Sequence, residues 1–219
     1  MGCDIHMHYE VKDKDGWKLY DWKNEFVLGK YEDDSTKYNY DKMFSHPLYV
    51  GRNYDLFAIL ADVRNGIGFA GVSTGEGFVP IREPRGLPDD VTSAVNLDSD
   101  EWGSDGHSHS WLSLSEIMNY DWNQTTRHYG VVSKEEYLEY KKNGKPSSWC
   151  GGISGGSVRM ISNEDMDYVS GDSPYEYYTR VAWEETYKES VGDGWFETMK
   201  YLSDKFGTDN VRLVFWFDN

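Results

Sequence analysis

The sequence predicts an α+β fold: one domain over residues 1–219, with a mixed or antiparallel sheet built from N- and C-terminal strands, and with helices and long loops in the middle. Three observations predict it. Both ends of the chain read as strands, the segments between them carry helical spacing and cap signals, and no internal repeat of strand and helix runs along the chain. At 219 residues a chain can bury a substantial core as one domain.

At the N-terminus, "CDIHMHYEV" alternates. Ile5, Met7, Tyr9 and Val11 fall on one face of a strand, and Asp4, His6, His8 and Glu10 on the other. "KDKDG" is a turn and "WKLYDW" returns, so residues 3–22 read as a hairpin. "NYDLFAILADVRN" reads as a helix with Leu56, Ile59, Leu60 and Val63 inward. "NGIGFAGVSTGEGF" holds five glycines and reads as a loop or a loosely formed hairpin. "EPRGLPDDV" is a turn region. "SLSE" at 113–116 is a capping box opening a short helix to about Tyr120, and "SKEE" at 133–136 opens another through Lys142. "WCGGISGGSVRMIS" reads as a second glycine-rich loop, and "SPYEYYTRVAWEETYKE" as a longer helix with Pro174 near its first turn. "GWFETMKYLSDKFG" places Phe196, Met199, Leu202 and Phe206 at helical spacing, with Gly207 to end it. "VRLVFWFD" is a buried strand, and the two chain ends are expected to pair in one sheet.

Composition narrows the function. A net charge of −16 argues against long DNA or RNA as a partner, because phosphate contacts dominate that affinity. No run approaches the roughly 20 apolar residues of a membrane span. No signal-peptide pattern opens the chain, and "MGC" lacks the Ser or Thr of the myristoylation pattern, having His6 there, so the expected location is the cytoplasm. Two cysteines, Cys3 and Cys150, cannot build a disulfide framework. All fourteen lysines lie within 12–42 or 134–205, whereas Arg52, Arg64, Arg82, Arg85 and Arg127 occupy the lysine-free stretch between. Arginine is the residue that meets a phosphate or a carboxylate with a planar fork. One reading gives these arginines to a small anionic ligand; the other pairs them with neighbouring Asp and Glu.

Two His-x-His pairs, His6/His8 and His107/His109, each follow an aspartate by two residues, Asp4 and Asp105, the first pair on a strand and the second, in "DGHSHS", on what reads as a loop just ahead of a helix. Oxygen and nitrogen donors of this kind suit a divalent metal, Zn or Mn. A metal there would lower the pKa of a bound water and polarise a phosphoryl oxygen. The competing reading has His6 and His8 covering a polar sheet face, and His107 and His109 bonding to loop backbone. The Gly-Asn-His-Asp/Glu motif of dinuclear metallophosphoesterases is absent. So is any Walker or Rossmann fingerprint. Cys3 would point away from the polar face, and the adjacency of Ser108 and Ser110 to histidines does not make a triad.

"MGCDIH", "RNYDLFAILADVRNG", "PRGLPDDV", "DGHSHSWLSL" and "FWFDN" resemble a family of uncharacterised phage and bacterial proteins that begin Met-Gly-Cys-Asp-Ile-His. The resemblance spans most of the chain and implies a phage or prophage setting, but no activity. Some members carry proline in the place of His109, which the resemblance implies leaves Asp4, His6, Asp105 and His107 as the stronger candidates.

The expected function is a metal-assisted phosphohydrolase or phosphodiesterase acting on a small nucleotide-like substrate, with a role in countering host defence. Asp4, His6, His8 and His107 would hold the metal, and Asp105 and His107 would be catalytic. Arg52, Arg64 and Arg85 would hold phosphate oxygens, with Tyr54 or Trp111 stacking on a base. The alternative is a non-catalytic nucleotide-binding protein that sequesters a host signal. A third reading is an acidic protein-interaction module. A homo-oligomer is left open.

Overall fold

The computed structural model describes residues 2–21, 48–49, 51–169 and 173–218. Its class is α+β, as expected. The described residues separate into two compact units woven from alternating stretches of sequence: a terminal-strand unit within 3–52, 81–120 and 192–219, and an inner unit of Gly2 with residues within 53–80 and 121–191.

In the terminal-strand unit, β1 (Asp4–Asp13) and β2 (Gly16–Leu19) form the expected hairpin; its last residue, Trp22, lies outside the described residues. The C-terminal strand β7 (Val211–Asp218) pairs antiparallel with β1, so the two chain ends do share a sheet. Helix α2 (Ser93–Trp102) leads into β3 (His107–Ser113), which pairs with the other edge of β7. The strand order is β2-β1-β7-β3. Strand β3 corrects the expectation that "DGHSHS" lies in a loop. The capping box then starts α3 (Leu114–Asn119): the Ser113 hydroxyl accepts from Glu116 N, and the Glu116 carboxylate accepts from Ser113 N. Helix α7 (Asp193–Phe206) packs against β7. Its buried residues Trp195, Thr198, Met199 and Leu202 recur at helical spacing. Seven of the eight residues of β7 are buried, which is why it reads as a continuous apolar run.

The inner unit begins with α1 (Tyr54–Ala61), capped by Asn53, whose side chain accepts from Asp55 N and Leu56 N. Six consecutive residues of α1 are buried, Leu56 through Ala61, so it is enclosed on all sides rather than along one stripe. Strand β4 (Thr125–Ser133) is followed by α4 (Lys134–Asn143), β5 (Val158–Met160), the short α5 (Asn163–Met166), β6 (Glu176–Thr186) and α6 (Tyr187–Val191). The sheet order is β4-β6-β5, antiparallel between β4 and β6 and parallel between β5 and β6. Two expectations are corrected here. The middle of the chain holds a sheet of its own, and the stretch expected as a helix from 173 is largely β6. Its burial has a period of two: Thr179, Val181 and Trp183 face in, while Arg180 and Glu184 face out. Val132, Tyr137, Met166, Val181 and Trp183 make the core beneath it.

The glycine-rich stretch 66–77 lies along β4 rather than looping free. Tyr129 N donates to Thr74 O, and Glu76 N donates to Arg127 O. A Cβ on Gly75 would stand 2.9 Å from Arg127 O, and one on Gly66 would stand 2.8 Å from Gly75 O. Backbone approaches this close exclude a side chain. Among the described residues, no helix is long and apolar enough to cross a membrane. Neither Cys3 nor Cys150 is in a disulfide.

Candidate functional site

The register of the terminal sheet decides which candidates meet. His6 lies opposite Trp216, His8 opposite Val214 and Glu10 opposite Arg212, so one face of the sheet carries both histidines of the first pair. His107 lies opposite Phe217, which lies opposite Ile5, so His107 belongs to the other face. The register slips between His107 and Ser110, where Ser108 adopts φ +53. This extra residue is a β-bulge, and it reverses the alternation. His109 therefore stacks on Trp216, with ring centroids 5.7 Å apart, beside His8 at 5.2 Å and His6 at 5.8 Å. The histidine that joins His6 and His8 is thus His109, and not the expected His107.

The expected metal donors are also occupied. His6 Nε2 stands 3.2 Å from Asp218 Oδ2, with its ring 3.9 Å from that of Trp102. His8 Nε2 stands 2.8 Å from Asp98 Oδ2. Both Asp4 oxygens accept from Arg52, Oδ1 from Nε at 2.6 Å and Oδ2 from the terminal nitrogen. Those hydrogen bonds hold the Asp4 carboxyl below its ordinary value. His107 Nδ1 is 3.0 Å from Ser108 Oγ. Asp105 is exposed in the turn before β3. Among the described residues, no three His, Cys, Asp or Glu side chains gather as a set that could hold a metal ion. The expected set of Asp4, His6, His8 and His107 does not fit one.

The expected ligand-binding residues divide. Tyr54 and Arg64 belong to the inner unit, where the Arg64 guanidinium lies 5.6 Å from the Tyr54 ring centre. Arg52 is with Asp4. Arg85 and Trp111 do meet. They line an open groove of about 670 Å³ with Trp17, Leu87, Pro88, Asp89, Asp90 and Arg212. Its floor is a ladder of alternating cations and indoles. Arg85 lies 3.6 Å from the Trp111 ring centre, and Arg212 lies 5.8 Å from Trp111 and 4.2 Å from Trp17. Lys12 Nζ stands 5.6 Å from the Trp17 ring centre. The register explains the ladder: Lys12 opposes Trp17, and Glu10 opposes Arg212, which opposes Ser113, two residues from Trp111. Arg212 and Trp17 were not singled out from the sequence; their common face follows only from strand pairing.

Charge along the groove is uneven. Arg212 is buried and donates to Glu10 at 2.6 Å and Asp90 at 2.5 Å; Glu10 is fully buried and also accepts from Thr92 N. That end carries an excess of carboxylate, increased by the exposed Asp89. At the other end, Arg85 forms a forked pair with Glu116, at 3.1 and 2.8 Å, and Arg82 reaches the same carboxylate at 2.8 Å. Burial opposes ionisation of Glu116, but hydrogen bonds from Arg85, Ser113 N, Arg82 and the Ser113 hydroxyl outweigh it and hold the carboxyl at about 2. Two guanidiniums thus share one ionised carboxylate.

The inner unit brings Ser190 Oγ and Glu185 Oε2 to His128, at 3.0 and 3.6 Å, an arrangement that sequence spacing could not reveal. Both face the same ring nitrogen, Nε2. A hydroxyl–imidazole–carboxylate relay needs the two ring nitrogens to serve different partners. The Ser190 hydroxyl is itself directed to Thr186 O at 3.1 Å. No family model, no curated protein and no solved structure matches the chain.

Proposed function

We propose that the chain is a non-catalytic binding protein that holds a small, planar, anionic ligand of the nucleotide type in the Trp17–Trp111 groove. The observation that carries this reading is the Arg82–Glu116–Arg85 group beside Trp111. Two cations on one carboxylate leave one positive charge, on a chain whose net charge is −16. A guanidinium that keeps donors beyond its carboxylate partner suits a phosphate oxygen. The indole edges offer apolar surface to a base, and the volume of the groove lies within the roughly 300–1,000 Å³ of ligand sites. Turnover has no part in this reading, because the register sets His107 on the sheet face opposite His6 and His8, and Asp4 is held by Arg52. In the phage setting that the sequence resemblance implies, such a protein would act by sequestering a host nucleotide signal.

The test is equilibrium dialysis against cyclic dinucleotides, cyclic mononucleotides and ADP-ribose derivatives, followed by denaturation and chromatography of the released ligand. Intact ligand is expected, with affinity falling at least about tenfold in Arg82→Gln and in Trp111→Leu, the size of a lost charge-assisted hydrogen bond. Lys142→Gln, in α4, should bind as the parent chain does. Recovery of a hydrolysed product would restore the phosphohydrolase reading, and failure of every nucleotide to bind would end this one.

A further inference from the structure

Two carboxylates share the Arg212 guanidinium at the floor of the Trp17–Trp111 groove, and they differ in kind. Glu10 is fully buried and stands opposite Arg212 on β1. It accepts from Arg212 Nε at 2.6 Å and from Thr92 N at 2.8 Å. Asp90 accepts from Nη1 at 2.5 Å, yet its side chain is 66% exposed and lines the groove. A buried guanidinium needs one counter-charge, which Glu10 supplies. The Asp90 carboxylate is a second, and it leaves the three groups with a net negative charge. Its side chain is also not what holds its segment. Gly86 N donates to His109 O at 2.9 Å, Thr92 N donates to Glu10, and Arg212 Nη2 donates to Asp90 O at 2.9 Å, so residues 86–92 are tied to the sheet through backbone atoms. The hydrogen bond from Arg212, and then the charges of Arg212 and Lys12, hold the Asp90 carboxyl below its ordinary value against a partial loss of hydration. Asp90 thus sits where two cations act, on a guanidinium 4.2 Å from the Trp17 ring centre and 5.8 Å from that of Trp111.

We propose that the place of the Asp90 carboxylate is an oxyanion seat of the groove, filled by the chain's own side chain until a phosphate group of the ligand displaces it. The bond that Asp90 vacates is a guanidinium N–H, and Nη1 and Nη2 each carry one N–H more, a set that suits phosphate oxygens. Leaving the seat costs Asp90 little, because an exposed carboxylate regains water as it turns outward. The buried Glu10–Arg212 pair and the backbone ties stay in place, so only a side chain has to move. The inference rests on the groove as the ligand site and adds its regulation: Asp90 competes with the ligand, and the free chain binds an anion less tightly than its groove allows.

The experiment titrates inorganic pyrophosphate by calorimetry into the full chain and into Asp90→Ala, Asp90→Asn and Asp89→Asn. Asp89 is the strict control, since it is exposed and lines the same groove beside Asp90. At 0.15 M salt, where the Debye length is about 8 Å, Asp89→Asn should change affinity by about twofold or less. Asp90→Ala should bind about tenfold or more tightly than the parent, the size of a charge-assisted hydrogen bond no longer competed for. Asp90→Asn keeps an acceptor for Nη1 but not the charge, and should gain about fivefold; it carries the comparison if Asp90→Ala lowers the thermal transition. The indole N–H signals of Trp17 and Trp111 should shift on binding, and those of Trp122 and Trp183 should not. Equal gains from the Asp89 and Asp90 variants would reduce the effect to general charge and overturn the proposal. So would weaker binding in the Asp90 variants, which would make the carboxylate a structural tie, or no binding of pyrophosphate by any of the four folded chains. The same series is run with the nucleotides. A nucleotide held equally by the parent and Asp90→Ala would end the seat and leave the nucleotide reading standing. A pyrophosphate gain in chains that bind no nucleotide would uphold the seat and end that reading.

Discussion

At Asp55, both forces on the carboxyl act against ionisation. Burial is the larger, and the charge of Glu185 adds to it; together they push the carboxyl from 3.8 to about 7. The folded chain thus holds this proton more tightly than the unfolded chain does. Below about pH 4 both states are protonated and Asp55 is neutral to stability. As pH rises toward 7 the unfolded state releases the proton first, so stability falls through that window, and the loss is complete above it. Asp55→Asn removes the ionisation and nearly keeps the shape. It should raise the melting temperature at about pH 8 by at least ~3 °C, since about 1 kcal/mol moves a chain of this size by ~2–4 °C. Near pH 4 the two chains should melt together. An equal offset at both pH values would show that the carboxyl is not the cause. This group was not legible in the sequence, because Asp55 looks like any acidic residue in a first helical turn. His6 and His8 were legible as residues of a polar strand face, but their partners Asp218 and Asp98 lie 212 and 90 positions away, beyond any local pattern.

Elements were legible where a local signal fixed them. The capping box at Ser113, the N-cap at Ser133, the alternation of β1 and the spacing of α7 each act within a few residues, and each element stands where its signal places it. Strand β6 was misread as a helix although Thr179, Val181 and Trp183 alternate with Arg180 and Glu184; β-branched and aromatic residues at period two outweigh a proline that suits a first turn. The bulge at Ser108 was illegible, and it alone exchanges His107 for His109 on the face of His6. The glycines were legible as glycines but not in purpose. Those beside β4 permit backbone contact, whereas Gly156 faces open space. Gly75→Ala would drive a Cβ to 2.9 Å from Arg127 O, which is backbone and cannot swing aside. Overpacking of this kind costs about 1–3 kcal/mol. Gly156→Ala meets nothing and stiffens the unfolded chain, an effect of about 0.4–1 kcal/mol in favour of folding. Urea unfolding of the two variants should therefore bracket the parent chain, Gly75→Ala below and Gly156→Ala level or above. A Gly75→Ala midpoint equal to that of the parent would mean that the 66–77 segment does not pack on β4 as described.

On the scale of the whole chain, the interleaving of the two units was not legible, because it depends on which distant segments make contact. The charge was legible from composition alone, and it has a consequence for stability. With 38 acidic and 22 basic side chains, the excess of sixteen carboxylates has no cation to pair with. Ion pairs do form, as between Lys141 and Asp167 at 2.9 Å or Lys145 and Glu185 at 3.0 Å, and salt weakens them. Exposed pairs of this kind contribute about 0–1 kcal/mol each. Opposing them is the repulsion of the uncompensated carboxylates, which compaction increases. Salt screens that repulsion too, as the Debye length falls from about 30 Å at 0.01 M to about 8 Å at 0.15 M. Pairs in contact lie well inside either length, whereas like charges spread over a surface do not. Screening therefore relieves the repulsion more than it weakens the pairs, and the melting temperature should rise between those two concentrations of sodium chloride. Amides at several exposed acidic positions, such as Asp89→Asn with Asp105→Asn and Glu164→Gln, should raise the low-salt value and reduce the salt response together. A melting temperature that falls with salt would mean that the ion pairs, and not the excess charge, dominate the electrostatics of this chain.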